Sequence, residues 1–293
     1  MERVTLASGI ELDVEDRGPR DAPAIVFLHG FPESHRTWRH QIPHLADRFR
    51  CIAPDQRGYC GSSKLPEVDA YTPDKLIGDI FQLADAMDVE KFTLVGHDWG
   101  GAIAWGGGLM GQAMGRVERL AIMNAPHPAI FQRLLYTDPV QRAASQYMRA
   151  FRDPANDALV REHGLGALLL KAVNWAGSPA LEDAEKARML QEWQDREAAF
   201  AMLNWYRASP IVVPPADAPF EVPAGAHLPD LPKLSIPTLV VWAMDDLALP
   251  PCNLQGLDQL IEDLTLVKVP ECGHFVPWEA PREVNAALDD FLA

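Results

Sequence analysis

Cysteine is scarce in this chain: Cys51, Cys60, Cys252 and Cys272 are the four among 293 residues. No two of them form a CxxC pair and none stands at zinc-ligand spacing, so neither a disulfide scaffold nor a structural zinc site is expected. Reduced thiols in a cytoplasmic protein are the expectation instead. Long uncharged apolar stretches are also missing, and Met1-Glu-Arg-Val-Thr5 contains no apolar leader, which argues against a membrane span and against export. Positive charge is short: 26 Lys and Arg against 41 Asp and Glu leave a net −15. That balance disfavours nucleic acid and anionic membranes as partners. No internal repeat or low-complexity tract stands out. Hydrophobic residues, however, make up 48% of the chain, which excludes disorder. The length suits one large domain or a core with an insertion.

The densest signal is Phe92-Thr-Leu-Val-Gly-His-Asp-Trp-Gly-Gly101. Phe92 to Val95 is a short apolar run that reads as a buried strand. Gly96-His97-Asp98-Trp99-Gly100 follows, then a segment rich in Gly and Ala that can pack as a helix close against a sheet. Gly-x-nucleophile-x-Gly between strand and helix is the nucleophile elbow, whose glycines let the chain turn sharply under the exposed middle residue. Here that residue is Asp98 rather than Ser. A carboxylate is already ionised near neutral pH and needs no base to activate it. It attacks saturated carbon, displacing halide or opening an epoxide, and a second step must then hydrolyse the resulting ester. The competing reading is an Asp that only caps the helix.

Taken in order, residues 3–15 alternate and break at Ser8-Gly9, which suggests an edge hairpin. Ala24 to Leu28 reads as a buried strand, and His29-Gly30-Phe31-Pro32 as a loop at its carboxyl end, where α/β sheets bind ligands. The Phe31 N–H and the Trp99 N–H would form a two-donor oxyanion hole. His29 is expected to orient this loop, with Gly30 and Pro32, rather than to act as a base. Cys51–Pro54 and Arg119–Met123 read as further strands, and 73–88 as an amphipathic helix. From Ala129 to about Leu231 the pattern is mainly helical and ends in a proline-rich run, after which strand patterns resume at Thr238–Ala243 and Leu264–Val269. This predicts a core of 1–128 and 232–293 with a helical lid of 129–231 inserted over the sheet's carboxyl edge.

An elbow nucleophile is followed along the chain by an acid and then a histidine. His274, in the loop after the last strand, is the expected base, and it would activate water rather than Asp98. Asp245 and Asp246 both follow the preceding strand, and spacing from Trp242 favours Asp246 as the residue that holds the imidazole's tautomer.

Four segments carry a family resemblance: His29-Gly-Phe-Pro-Glu-Ser34, Asp55-Gln-Arg-Gly-Tyr59, Gly96-His-Asp-Trp-Gly-Gly101 and Gly273-His-Phe-Val-Pro277. Together they resemble the α/β-hydrolase superfamily, specifically its epoxide hydrolases; the related haloalkane dehalogenases often show Gly-His-Asp-Trp-Gly as well. The chain departs from the pattern at Cys60 and Ala243, where glycine is usual, and at His35, where an aromatic is frequent. The resemblance implies a mostly parallel sheet flanked by helices, with the cap inserted.

Epoxide hydrolases resemble one another in two lid tyrosines, one in Tyr-x-x-x-Phe and one in Asn-Trp-Tyr-Arg. Tyr147 to Phe151 and Asn204-Trp205-Tyr206-Arg207 match these. A phenol, with a pKa of about 10, stays protonated at neutral pH and suits an alkoxide leaving group. The expectation is an epoxide hydrolase acting on an epoxide and water, with no metal or organic cofactor, as a monomer or a homodimer. The alternatives are a haloalkane or haloacid dehalogenase using Trp99 as halide donor, and a non-catalytic binder of the same fold. Fluoroacetate dehalogenases favour Arg where Trp99 stands, and Phe31 offers no side-chain donor for halide. Phe131, Leu134, Leu135, Leu168, Leu169, Trp175 and Met202 either line the pocket or, as is favoured, form lid core.

Overall fold

The computed structural model describes residues 1–173, 178, 180–226 and 228–293. Among these, eight strands form one sheet: β1 (Glu2–Thr5), β2 (Glu11–Arg17), β3 (Ala24–Leu28), β4 (Arg50–Pro54), β5 (Phe92–His97), β6 (Val117–Met123), β7 (Thr238–Ala243) and β8 (Leu264–Val269). Their spatial order is β1-β2-β4-β3-β5-β6-β7-β8. β1, β2 and β4 pair antiparallel, and every later pairing is parallel. The continuous apolar runs of β3, β5 and β7 are buried along their whole length, as strands covered on both faces must be.

Alternate side chains of these strands enter two separate cores. Val26, Leu94 and Val240 join one face's cluster, and Ile25, Val95 and Leu239 the other's, which is the period-2 geometry of a strand. From β3 the chain moves outward to β4 and then returns past β3 to β5. The strand order therefore reverses between β3 and β5, and a crevice at their carboxyl ends is where such sheets bind ligands.

Helix Trp99–Met114 begins at the end of β5. Its glycines are there for close packing: a methyl group on Gly107 would run into Leu94 and Ile80, one on Gly108 into Leu120, and one on Gly111 into Val117. The helix thus lies tightly against the sheet and fixes the elbow from below.

Between β6 and β7 lie helices Pro128–Thr137, Pro139–Ala144, Gln146–Arg152, Asp157–His163, Leu165–Val173, Asp183–Glu192 and Arg196–Ala208. Asp138 and Asp195 cap two of them, their carboxylates accepting backbone N–H groups of the first turn. These helices reach the sheet's loops through indole donors: Trp193 Nε1 to the Pro32 carbonyl and Trp205 Nε1 to the Arg57 carbonyl, both at 2.9 Å. Phe131, Leu135, Leu168, Leu169 and Met202 are buried in the larger core and Leu134 packs against it, so they serve as core; Trp175 lies outside the described residues.

Residues 209–226 form a strap without helix or strand. Prolines remove N–H donors here but leave carbonyls, and those carbonyls are met by side chains. Gln146 Nε2 donates to Pro214 O at 3.1 Å, Arg149 to Val213 O at 2.9 Å, and Gln132 pairs with both backbone groups of Val212. Among the described residues no helix is long and apolar enough to cross a membrane.

Candidate active site

Asp98 sits at the turn from β5 into the glycine-rich helix with φ 50° and ψ −122°, a backbone conformation that is costly for a residue with a side chain and concentrates at functional sites. Neighbouring glycines make room for it. A methyl group on Gly30 would strike the Asp98 side chain, one on Gly96 the backbone of Gly100, and one on Gly100 the carbonyls of Leu28 and His29. The Phe31 N–H donates to Asp98 Oδ1 at 2.7 Å, and the Trp99 N–H also hydrogen-bonds the carboxylate. Burial alone would raise this carboxyl, but the His274 hydrogen bond and charge, aided by His97 and the Trp99 N–H, hold it below the ordinary aspartate value.

His274, in the loop after β8, places Nε2 3.5 Å from Asp98 Oδ2 and Nδ1 2.7 Å from Asp246 Oδ2. Burial would push the imidazole down; Asp246 and then Asp98 overcome it and carry the ring well above the ordinary histidine value. Asp246 is buried whereas Asp245 is exposed. Its Oδ1 accepts the Ala248 and Leu249 N–H groups at 2.8 and 2.9 Å, and its Oδ2 accepts Asn124 Nδ2 at 2.8 Å. Asn124 closes β6 at φ 40° and accepts the Ala243 N–H at 2.8 Å through its own Oδ1. It ties two strand ends together and orients the acid, a role the sequence analysis did not assign. The signal available was an Asn at a strand end, since Asn tolerates positive φ.

The His29 ring links its own loop to the one that follows β4. His29 Nδ1–H donates to the Gly30 carbonyl at 3.0 Å and Nε2 accepts the Gln56 N–H at 3.0 Å, which occupies both ring nitrogens. Burial lowers this imidazole to about 4, keeping it neutral. The Phe31–Pro32 peptide is cis, and Pro32 O receives the Trp193 indole. Cys60 adopts φ 46° where glycine is usual, so the departure from the family pattern keeps the left-handed backbone. His35 uses its ring and its N–H to hold Asp55, each at 2.8 Å.

Behind His274 lies a second buried network absent from the sequence reading. His97 Nε2–H donates to the His274 carbonyl at 2.9 Å, and its Nδ1, 3.8 Å from Glu33 Oε2, is buried without a hydrogen-bond partner among the described residues. Burial lowers His97 to about 4. Glu33 accepts Trp278 Nε1–H at 2.7 Å and Thr37 Oγ1–H at 2.9 Å, yet burial outweighs both donors and lifts its carboxyl from 4.5 to about 7. A carboxyl raised by folding takes up a proton as the chain folds. Its contribution is present below the unfolded value and is lost as pH rises through the folded one. Glu33→Gln, whose amide can donate to His97 Nδ1, is therefore expected to remove about 3 kcal/mol of stability loss between about pH 4.5 and 7. Urea unfolding of both proteins at the two ends of that window measures it. Parallel pH dependence in the two would disprove the assignment.

Tyr147 and Tyr206 come from helices Gln146–Arg152 and Arg196–Ala208, and their ring centroids are 6.2 Å apart. Tyr206 is buried, packing edge-on against Phe31, Trp99 and Phe151 at 5.0 Å each. Burial raises both phenols, and the charge of Asp98 raises each further. The Trp99 side chain faces the Tyr206 hydroxyl, and Tyr206 faces Tyr147, each contact favouring the ionised form of the phenol it meets against the larger effect of burial. Both hydroxyls are thus protonated donors within electrostatic reach of Asp98.

Residues 23–281 match the alpha/beta hydrolase fold family. The chain is 69% identical to a solved structure from work on novel epoxide hydrolases of the alpha/beta hydrolases superfamily in metagenomes from hot environments, covering 100% of this chain and 98% of that one at a TM-score of 0.97. An epoxide hydrolase mutant from Bacillus megaterium, solved with a naphthyloxy-propane-diol product, is 28% identical over 99% of each chain with a TM-score of 0.86. Among curated proteins, AB hydrolase superfamily protein YfhM of Bacillus subtilis is 35% identical over 97% of this chain and 95% of its own length. Epoxide hydrolase 1 of Caenorhabditis elegans is 30% identical over 97% and 68%. The chain belongs to the α/β-hydrolase fold family, and within it to the epoxide hydrolases.

Proposed function

We propose that this chain hydrolyses epoxides to vicinal diols through a covalent ester on Asp98, with the helices between β6 and β7 acting as a cap that supplies the phenols. Tyr147 and Tyr206 bind the epoxide oxygen while Asp98 Oδ attacks a ring carbon. As the carbon–oxygen bond breaks, a phenol proton passes to the departing oxygen, so no free alkoxide forms. The product of this half is a hydroxyalkyl ester of Asp98.

Ester formation removes the Asp98 charge, one of the two charges that keep His274 protonated. The imidazole then gives up its proton more readily, that proton restores the phenol spent in ring opening, and the neutral ring draws a proton from the water that attacks the ester carbonyl. The Phe31 and Trp99 N–H groups stabilise the oxyanion, and Asp246 holds the imidazolium. The tetrahedral intermediate then collapses: the bond from the carbonyl carbon to the diol oxygen breaks, that oxygen leaves with the acid proton held on Asp98, and the carboxylate is restored. No metal or organic cofactor enters any step, and four unpaired thiols suit a cytoplasmic setting.

The observation that carries this reading is a carboxylate nucleophile under two neutral phenols. Halide release would need the Trp99 indole N–H as donor, and that side chain faces the Tyr206 hydroxyl. The relatives named as epoxide hydrolases support the same choice. The test is product identity: small aromatic and aliphatic epoxides beside bromo- and chloroalkanes. Diol without halide is expected. Halide without diol would give the chain to the dehalogenases, and neither product, with no covalent adduct on Asp98, would make it a ligand-binding protein.

A further inference from the structure

Arg152 ends the helix that carries Tyr147, and its guanidinium is placed unusually. Nε donates to the Tyr206 carbonyl at 2.8 Å and Nη1 to the Ile211 carbonyl at 2.7 Å. Nη2 is buried with no hydrogen-bond partner among the described residues. The charged forms it senses are those of Tyr206 and Tyr147, and among the described residues it makes no ion pair with a carboxylate. A half-buried guanidinium whose idle Nη2 is itself buried is costly to keep, and two carbonyl contacts could be made as well by a neutral amide.

We propose that Arg152 is a positioning residue for the two phenols: Nε fixes the backbone of Tyr206, and the unpaired charge supports the electron density that Tyr147 gains as its proton moves to the epoxide oxygen. This rests on the epoxide reading above. Asp98 and Asp246 both act on Tyr147 in the opposite sense, as negative charges that hold the phenol proton, and Tyr206 faces it, favouring the ionised form. Arg152 acts on Tyr147 as a positive charge, in the sense opposite to those two carboxylates. Its effect belongs to ring opening, because the phenols take no part in cleaving the ester.

Two measurements on the full chain test this. First, 2,3,5-trifluorotyrosine at position 147 brings the phenol's ionisation into an observable range, and absorbance titration compares Arg152 with Arg152→Gln. Loss of the charge is expected to raise the midpoint by about one pH unit; an unmoved midpoint would overturn the proposal. Second, single-turnover kinetics with styrene oxide separate ester formation from ester hydrolysis. Arg152→Gln is expected to slow ester formation roughly tenfold with hydrolysis unchanged, while Arg152→Lys, which keeps the charge, stays within about threefold of wild type. Equal losses in the two variants, or equal slowing of both steps, would leave only a backbone clamp. Arg152→Met, which keeps the aliphatic stem, replaces the Gln variant should that fail to fold. If the wild type forms no diol the epoxide reading falls by itself, and the titration still decides on Arg152.

Discussion

Replacing His274 by glutamine is expected to stop the enzyme halfway through its cycle. Asp98 needs no base, so the ester still forms, and intact-mass analysis should show the chain heavier by one epoxide with the adduct mapped to Asp98. Steady diol production should fall by about 10³- to 10⁴-fold, the upper range for losing a general base. An unmodified chain with the same loss of turnover would mean that His274 acts before the ester exists, and the two-step scheme would be wrong. The wild type offers a companion result. With Asp98 esterified, His274 loses the Asp98 charge and keeps that of Asp246, so its pKa falls relative to the free enzyme. The imidazole must be neutral to draw a proton from water, hence ester hydrolysis should speed up as pH rises. Ester formation should not follow the same limb, since Asp98 lies below the ordinary aspartate range. At acidic pH the ester accumulates even without a mutation.

The double variant Tyr147→Phe, Tyr206→Phe should fail in the opposite half. Both rings stay, along with the aromatic packing at 5.0 Å around Tyr206, so the fold should be kept. Both donors to the departing oxygen are gone. Loss of a single well-placed donor at a developing oxyanion typically costs about 10²- to 10³-fold, and effects of residues that act together do not add. A fall in ester formation of roughly 10³- to 10⁴-fold is expected, with either single variant losing less. Hydrolysis of an ester already formed should continue at the wild-type rate. Burst kinetics and trapped-adduct levels separate the two. A double variant that opens epoxides within about threefold of wild type would remove the phenols from the mechanism.

How much of this could be read from the chain depends on whether the physics is local. β3, β5 and β7 were legible because strands buried on both faces are written as unbroken apolar runs, and the helix after Asp98 because its small residues can serve only close packing. The elbow was legible for the same reason: Gly96, Asp98 and Gly100 lie within five residues. Long-range pairings were not. Asn124 reaches Asp246 across 122 positions, and Trp278 reaches Glu33 across 245; neither residue sits in a pattern that names its partner. Arg152 stood in plain sight one residue after the Tyr-x-x-x-Phe stretch. Nothing in the sequence says that its charge finds no carboxylate among the described residues, because that depends on what does not fold near it.

The seating of the elbow and of the tyrosines on different supports has a consequence for selectivity. Asp98, the two N–H donors, Asp246 and His274 all belong to loops at the ends of β3, β5, β7 and β8, whereas the phenols ride on helices inserted between β6 and β7. In the proposed mechanism the choice of which ring carbon is attacked is made by where the phenols hold the oxygen, and ester cleavage does not consult them. Changes in the helices around Tyr147 and Tyr206 can therefore redirect attack from one carbon to the other, or from one mirror-image epoxide to its partner, and leave the release of diol at its original pace. On this mechanism, stereochemical outcome and turnover would be separately heritable traits.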